Sequence, residues 1–473
     1  MRYTNLLPFA AALATAVVIP DEATARELRL EAKKTPAWWD SLRSAPEDAS
    51  DIIQKWRGFL DNVEALAENS HDGHDVFEIP RGPPGSRHGD SNITIYQAIQ
   101  TSNVTKKFAA LINDFPDIVD LLNSTATNVT VFVPVDKAFE RIPEHGRKPP
   151  NEFIEKILEY HILPGLYPAS HLLVSHTLPT SLKNPALGGR PQRLRIGLDL
   201  LGLKINFFSK VIGHNFGAKN GFAHAVDSIL LPPPPAGRLI SLFPSKFSTL
   251  ELAAAKTGLL PPHHDHKHHD KDGGDDDDDD DRKHRPHPHT TGLTIFAPTN
   301  DAFARLGPAA NAFLFNTPRG LGFLRALLKY HIVVNQTLYS DAYYGLEGHS
   351  EDILPLPVPG ETRSKEIKHF HLDLPTLLGD KSLSIDIARF LGFINIRVNG
   401  HAKVAIEDGI AFDGVVQTVS SVLFPPRKVK PDAEWSDGEI SVEELIEILG
   451  PYVEEDGEGD GEGKNADQVW GEL

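Results

Sequence analysis

Two copies of one short pattern constrain this chain more than any other feature of its sequence. The run TVFVPVDKAF at residues 130–139 is echoed by TIFAPTNDAF at residues 294–303. Each copy alternates β-branched and aromatic residues and ends in Pro, which is typical of a half-buried strand. The proline removes a ladder donor and ends the strand. We expect Asp136 and Asn300 to cap the helical turn that follows.

Two further motifs repeat in the same order. An apolar helix pattern ends in Tyr-His at Tyr160-His161 and again, 170 residues later, at Tyr330-His331. The closing runs NGFAHAVDSILLPP and DGVVQTVSSVLFPP begin 193 residues apart, and the first carries an Asn-Gly hairpin signal. Three motifs in one order at similar spacing indicate two tandem copies of a single module.

The order of elements in each copy predicts the fold class. Helix patterns precede the first strand, another helix follows it, and a strand-rich section closes the module, so we predict an α+β architecture. The predicted organisation is a signal peptide at 1–25, a linker with one amphipathic helix at 26–90, modules at 91–235 and 240–427, a disordered insert at 261–291 inside the second module, and an acidic tail with a short helix at 428–473.

The N-terminus predicts entry into the secretory route. An apolar run at residues 6–19 precedes the small-residue pattern Ala23-Thr24-Ala25, which is typical of a signal peptide, although an uncleaved anchor is the alternative. No later run is long enough to span a bilayer, and the polar ending DQVWGEL gives no lipid-anchor signal. The helix predicted at residues 47–68 has an acidic polar face, which favours packing on a protein over binding a membrane surface.

Charge is concentrated in two segments. The net charge of −18 arises mostly from residues 431–473, with 15 acids and one Lys, and residues 263–289, with ten Asp and five Lys or Arg. The modules themselves are close to neutral, so no nucleic-acid footprint is expected. The chain has no cysteine, so its stability must come from core burial and not from disulfides.

Together, the strand-Pro-turn-Ala-Phe motif, the helix ending in Tyr-His and the closing strand that ends in Leu-Pro-Pro or Phe-Pro-Pro resemble the fasciclin-type domain. The resemblance covers about two thirds of the chain. It implies that each module is a β-wedge of two sheets flanked by helices, in a secreted or surface protein of adhesion or matrix binding. The sequence departs from the family pattern at Val133 and Val135, and Gln417 and Ser420 stand where the first copy has His224 and Asp227.

The Tyr-His pairs are the candidate partner-binding residues. In the family this segment is linked to cell-surface adhesion, which implies partner contacts for Tyr160, His161, Tyr330 and His331. The alternative is that each His donates a ring N–H to a backbone carbonyl and fastens helix to strand. The copies share no Ser, Asp or Glu to complete a catalytic group, and the sequence has no GxSxG, HExxH or P-loop pattern, so we predict no enzyme activity.

The two acidic segments lead to different predictions: a weak metal site in the insert and a short helix in the tail. The insert has eight His among residues 263–289, and we regard His263, His264, His266, His268 and His269 as candidate ligands for weak binding of Zn or Cu. The Asp run of the same insert could hold Ca loosely. A solvated, flexible loop is the alternative. In the tail, Ser441 and Glu444 match a capping box, which predicts a short helix there.

Five Asn-x-Ser/Thr triplets predict N-glycosylation in a secreted chain; these are Asn92, Asn103, Asn123, Asn128 and Asn335. The predicted function is a non-catalytic, secreted or cell-surface protein of adhesion or extracellular-matrix binding, with matrix or cell-wall proteins, polysaccharides or surface receptors as partners. The alternatives are a lumenal vacuolar or secretory-pathway protein that assists membrane trafficking, and a metal-buffering protein that uses the insert.

Overall fold

The computed structural model describes ten stretches of the chain: residues 92–141, 149–199, 202–212, 216–259, 291–345, 350–351, 368–379, 381–390, 393–426 and 439–453. The predicted signal peptide, N-terminal helix, His/Asp-rich insert and most of the acidic tail lie outside them. Both modules combine helices with sheets, which confirms the α+β prediction. Among the described residues, no helix is long and apolar enough to cross a membrane.

The first module opens with three helices, and a fourth follows the first strand. Its helices are α1 (Ile95–Thr101), α2 (Lys106–Asn113), α3 (Pro116–Asn123), α4 (Asn151–His161) and the single turn α5 (Ala169–Leu172). Its strands are β1 (Val129–Pro134), β2 (Ile162–Pro164), β3 (Thr177–Asn184), β4 (Arg190–Asp199), β5 (Gly202–Ile205), β6 (Ser209–Lys210), β7 (Phe216–Ala218) and β8 (Gly221–Val226). They form two four-stranded sheets in the orders β2-β1-β8-β7 and β3-β4-β5-β6, as expected for a wedge of two sheets.

The second module repeats this plan with additions. Its helices are α6 (Ala236–Ser241), α7 (Pro244–Lys256), α8 (Asn300–Ala304), α9 (Pro308–Asn316) and α10 (Pro318–Tyr330), and the C-terminal helix α11 (Val442–Leu449) also packs on it. Its strands are β9 (Leu293–Pro298), β10 (Ile332–Val334), β11 (Thr337–Leu338), β12 (Tyr343–Tyr344), β13 (Ser350–Glu351), β14 (Lys368–Pro375), β15 (Ser382–Phe390), β16 (Phe393–Val398), β17 (Ala402–Ile410) and β18 (Gly414–Val419).

The sheets of the second module are joined where those of the first are separate. Seven strands run in the order β10-β9-β18-β17-β16-β15-β14, beside a small sheet of β11-β12-β13. The long strand β17 pairs with β16 at its start and with β18 along its length, and register shifts between Val404 and Gly409 bend it. These bulges allow one strand to serve both faces of the wedge.

The repeated strand lies at the centre of each module and is buried on both faces. β1 pairs in parallel with β8, and β9 pairs in parallel with β18. Val131 and Val133 face the helix-side core, whereas Phe132 faces the core of the second sheet. The prediction of a half-buried strand was therefore wrong, because helices cover one face and strands cover the other.

The predicted capping by the residue after the Pro turn was also wrong. Thr299, not Asn300, caps α8, since its side chain accepts the Ala302 N–H. The Asn300 amide instead accepts the Thr249 N–H (2.9 Å) and donates to the Ser245 carbonyl (3.0 Å) of α7. In the first module Asp136 likewise accepts the Lys107 N–H of α2 at 2.8 Å. Each residue ties its turn to an earlier helix and not to its own.

The closing strands begin at a glycine that no other residue can replace without displacement. A Cβ on Gly221 would lie 1.7 Å from the Val129 carbonyl oxygen, and one on Gly414 would lie 2.0 Å from that of Leu293. The residue before each glycine accepts a hydrogen bond from the first N–H of the opening helix of its module. Asn220 accepts the Ile95 N–H at 2.9 Å, and Asp413 accepts the Ala236 N–H at 2.8 Å.

Candidate functional site

Each Tyr-His pair ends a helix whose apolar face is buried, and the histidine is fixed at both ring nitrogens. His161 donates from Nδ1 to the Ile157 carbonyl (2.7 Å) and accepts the Leu230 N–H at Nε2 (3.0 Å). His331 does the same with the Leu327 carbonyl (2.8 Å) and the Leu423 N–H (2.9 Å). Since Nε2 accepts a backbone proton, the neutral Nδ1–H tautomer is required. Each histidine thus fastens its helix to the segment that closes the module.

Burial keeps both imidazoles uncharged. The rings are 0% and 2% exposed, and burial lowers the pKa of His161 and of His331 to about 4, although each bond to a backbone carbonyl opposes the shift. Protonation would also break the bond to the Leu230 or Leu423 N–H, because Nε2 would then carry its own proton. At neutral pH these residues are structural hydrogen-bonding groups and not charge carriers.

The tyrosines connect the same helices to the second sheet. Tyr160 donates its hydroxyl to the Arg193 carbonyl (3.1 Å) and accepts from the Asn206 amide (2.8 Å). In the second module Tyr330 donates to the Ser382 carbonyl (3.3 Å) and accepts from the Asn399 amide (3.0 Å). We call each set of Tyr, His and Asn a node.

The node asparagines were missed by the sequence reasoning. Asn206 and Asn399 have φ of 50° and 52°, a left-handed conformation that Asn adopts more readily than most residues. Asn206 pairs through its N–H and its side-chain oxygen with the backbone of Arg195. Asn399 pairs in the same way with Ser384. The available signal was their spacing, since they stand 193 residues apart like the closing strands.

The folded nodes have little surface of their own. Tyr160 and Tyr330 are 0% exposed, and their neighbouring histidines are also buried, so a partner that meets the folded module contacts the segments that these residues hold. The hydrogen bonds are those of the fastening alternative. Whether partner binding depends on the four residues stays a prediction.

His224 of the first module and Gln417 of the second differ in residue type but make the same hydrogen bond. His224 donates from Nε2 to the Tyr167 carbonyl at 2.8 Å, and burial lowers its pKa to about 4. Gln417 occupies the equivalent position and donates from Nε2 to the Leu338 carbonyl, also at 2.8 Å. An amide N–H thus replaces an imidazole N–H, so this difference leaves the fold unchanged.

The two modules are joined by a buried polar contact. Asp341, from the turn between β11 and β12, accepts the N–H groups of His176 (3.1 Å) and Thr177 (2.9 Å) and the Thr177 hydroxyl of the first module. Arg193 lies 3.9 Å from the same carboxylate and 5.5 Å from the centre of the Tyr339 ring. A carboxylate held by several donors at a buried contact fixes the relative orientation of the two modules.

Other side chains across this contact donate to main-chain carbonyls. Gln192 donates to Ala411 (3.0 Å), Arg195 donates to Glu407 (3.0 Å), and Arg389 donates in the opposite direction to Val174 (2.7 Å). The apolar part of the contact contains residues of both modules: Leu187, Tyr339, Ala342, Tyr344, Ile410 and Val415. The sequence offered a signal in the cationic run RPQRLRIG of β4, which the sequence reasoning passed over.

A second carboxylate lies behind Asp341. Asp408 accepts the Ser340 N–H (2.8 Å) and an N–H of the Gln417 amide (3.2 Å). Burial and, secondarily, the nearby Asp341 charge raise the pKa of Asp408 to about 6. The contact therefore takes up a proton more readily than an ordinary aspartate would.

The remaining predicted sites are separate from the nodes. Asn92, Asn103, Asn123 and Asn128 are exposed on the first module, and Asn335 is half-buried. Asn335 accepts the Thr291 N–H at 3.0 Å. The predicted metal ligands of the insert, from His263 to His269, lie outside the described residues. Within the described stretches no cluster of three or more His, Asp or Glu residues could hold a metal ion.

The chain is similar to several known proteins. The family model for the Fasciclin domain matches residues 103–232 and 282–425. Aurofusarin biosynthesis cluster protein S of Gibberella zeae is 29% identical over 451 residues, which cover 89% of this chain and 99% of that protein. Protein sll1483 of Synechocystis is 28% identical over 149 residues, or 30% of this chain and 76% of that protein. A FAS1 domain pair from the insect cell adhesion molecule fasciclin I covers 67% of this chain and 96% of its own, at 16% identity and a TM-score of 0.29.

Proposed function

The chain belongs to the fasciclin domain family through both of its modules, and from this membership we propose that it is a non-catalytic binding protein of the extracellular matrix or cell surface. Its task in this proposal is attachment, with the two modules acting as one rigid unit. Matrix or wall proteins, polysaccharides and surface receptors are the partner classes. Secretion and glycosylation of the first module belong to the same proposal.

The observation that carries the proposal is that the polar groups of the node tyrosines and histidines are all engaged in internal hydrogen bonds. Both ring nitrogens of each node histidine and both node hydroxyls are engaged with backbone or amide groups. A general base needs a ring nitrogen within reach of a substrate, and a nucleophile needs a base beside it. The geometry of the nodes therefore favours a structural role, in which they hold the segments at the module surface, over a catalytic one.

The rigid contact between the modules supports the same reading. Because Asp341 and Arg193 fix the orientation of the pair, a ligand that touches both modules meets a preorganised surface. Preorganisation lowers the entropic cost of binding. In this proposal the predicted partner-binding residues act as positioning residues: Tyr160, His161, Tyr330 and His331 hold the presented segments.

Binding by the full chain to immobilised wall polysaccharide and to matrix protein tests this function. We expect saturable binding to one of the two, and at least a tenfold loss with Asp341→Ala, which removes the buried carboxylate at the contact between the modules. Asp301→Ala, at an exposed position of α8, is the matched control. Absence of binding to both surfaces would refute attachment, and equal binding by Asp341→Ala would refute the need for a rigid pair.

A second candidate role follows from one relative. The Gibberella zeae protein, aligned over 99% of its length, is named for a biosynthesis cluster, and an auxiliary role in the formation of a small-molecule product is therefore the alternative to attachment. Deletion of the gene followed by metabolite profiling distinguishes the two: loss of a product with unchanged attachment favours the auxiliary role. Immunolocalisation separates both from the lumenal trafficking alternative.

A further inference from the structure

The C-terminal segment, residues 439–453, lies in a groove of the second module formed by α9 and α10. Leu445 and Leu449 are 0% exposed and belong to the main core of that module. Ile440, Ile446 and Val453 pack on the same core and are half-buried. Helix α11 begins at the Ser441 cap, whose hydroxyl accepts the Glu444 N–H at 3.1 Å. This bond is the half of the predicted capping box that the structure shows.

The contact has the spacing of a helix in a groove. Leu445 and Leu449 lie one turn apart on α11, and Tyr452 follows at i+7 in the short 3₁₀ turn Gly450–Tyr452. This spacing is the anchor pattern of amphipathic helices that bind apolar grooves. The Tyr452 ring lies 5.6 Å from the Lys381 ammonium group, within range of a cation–π contact. The segment therefore presents two leucines to the groove, followed by Tyr452, whose ring contacts the Lys381 ammonium group.

The groove is shaped for close approach. A Cβ on Gly307 would lie 2.9 Å from the Cβ of Glu439, and one on Gly322 would lie 3.0 Å from Cγ1 of Val453. The Ile440 N–H also donates to the Leu306 carbonyl at 3.1 Å. The two glycines thus leave space for the two ends of the segment, and the backbone hydrogen bond fixes its first residues.

The charges of the two sides are complementary. Helix α10 contains Arg319, Arg325 and Lys329 and no acidic residue, whereas α11 contains Glu443, Glu444 and Glu447 and no basic residue. Opposite charge along a docking surface favours the correct partner and disfavours others. The groove therefore fits an acidic helix.

We propose that this groove is a docking site for an acidic amphipathic helix with Leu, Leu and an aromatic residue at i, i+4 and i+7, occupied in cis by the chain's own C-terminal segment. Only two of its side chains are fully buried, and the conformational entropy of a fifteen-residue segment opposes docking. The segment is therefore an exchangeable ligand of the groove. This proposal goes beyond attachment and is tested independently of it.

Fluorescence anisotropy with a labelled peptide of residues 439–453 tests the exchange. The full chain carrying Leu445→Glu and Leu449→Glu should bind the peptide at least tenfold more tightly than the unaltered chain, because its own segment no longer competes. Glu443→Gln, at an exposed position of α11, is the matched control and should behave like the unaltered chain. Adding Gly322→Val to the double variant should abolish binding, because the larger side chain takes the space of Val453.

Hydrogen exchange on the unaltered chain provides a second readout that does not depend on a variant folding. Excess unlabelled peptide should raise the exchange rate of amides 445–449 at least fivefold while leaving those of β9 unchanged. Equal peptide affinity for the double variant and the unaltered chain, or unchanged exchange at saturating peptide, would overturn the proposal. Binding that survives Gly322→Val would place the peptide elsewhere and would overturn it as well.

Discussion

Replacing Asp413 by Asn should stabilise the protein, and only above mildly acidic pH. Asp413 is 7% exposed, and its Oδ1 accepts the Ala236 N–H, whereas its Oδ2 is buried and has no hydrogen-bond partner among the described residues. Burial is the main reason that the pKa of Asp413 rises from 3.8 to about 6, and the backbone N–H only partly offsets it. An uncharged amide keeps the acceptor and removes the buried charge.

The magnitude follows from the pKa. Because the folded chain binds the proton more tightly than the unfolded chain, the stability that Asp413 contributes is fully present below about pH 4 and is lost as the pH rises through 6. A rise of about two pKa units corresponds to roughly 3 kcal/mol. Asp413→Asn should therefore match the unaltered chain near pH 4 and exceed its unfolding free energy by up to ~3 kcal/mol at pH 8.

Urea denaturation at a series of pH values, followed by circular dichroism, measures this difference. A difference in unfolding free energy between the two proteins that stays constant from pH 4 to pH 8 would refute the reasoning. So would a variant that is less stable at every pH.

The first module supplies the reciprocal control. At the equivalent position Asn220 accepts the Ile95 N–H and donates to the Leu122 and Ser124 carbonyls, both at 2.8 Å. Asn220→Asp places a carboxylate oxygen against two carbonyl oxygens, so we expect a loss of at least ~2 kcal/mol at pH 8 that shrinks towards acid pH. Opposite signs for the two exchanges would identify the charge, and not the volume of the side chain, as the cause.

Four further predictions test the fold and the untested sites. Asp341→Ala should cost about 3–5 kcal/mol and split the calorimetric transition into two, since it removes the buried carboxylate beside Arg193. Asp301→Ala is the control, and a single unchanged transition would contradict the role of Asp341 in joining the modules. Gly414→Ala should prevent folding of the second module, whereas Gly400→Ala, with open space around it, should cost about 1 kcal/mol for its φ of 74°; equal effects on the melting temperature would contradict the close approach. Deleting residues 263–289 should abolish heat release on zinc titration of the full chain, and identical titrations would exclude the insert as the site. Glycosidase treatment of secreted protein should lower its mass, with Asn128→Gln removing one step and Asn113→Gln, outside any triplet, removing none.

The sequence predicted the parts of this molecule that repeat locally. Alternation in the runs at 130–139 and 294–303 identified the central strands, because period-two patterning follows directly from strand geometry. It could not show that both faces are buried, since that depends on which helices and strands arrive from elsewhere in the chain. The same limit explains the errors at Asp136 and Asn300, whose polar side chains serve helices about 30 and 50 residues earlier in the chain.

The node and the contact between the modules show what a single sequence leaves out. Tyr-His was visible as a pair, but the residue that completes each node, Asn206 or Asn399, follows its tyrosine by 46 or 69 residues. Asp341 accepts from Thr177, a donor 164 residues away in the chain. Contacts between residues so far apart in the sequence are fixed by tertiary packing and not by local propensity. A search for periodic patterns in the sequence therefore cannot find them.

The carbonyl acceptors across the contact between the modules have a consequence for how such proteins diverge. Ala411, Glu407 and Val174 each offer a main-chain oxygen, which any amino acid at those positions would also supply. Substitutions at the accepting residues should therefore leave these bonds intact, whereas substitutions of the donors Gln192, Arg195 and Arg389 should remove them. Relatives of this chain should keep the interlocked pair while one half of its contact becomes unrecognisable in an alignment.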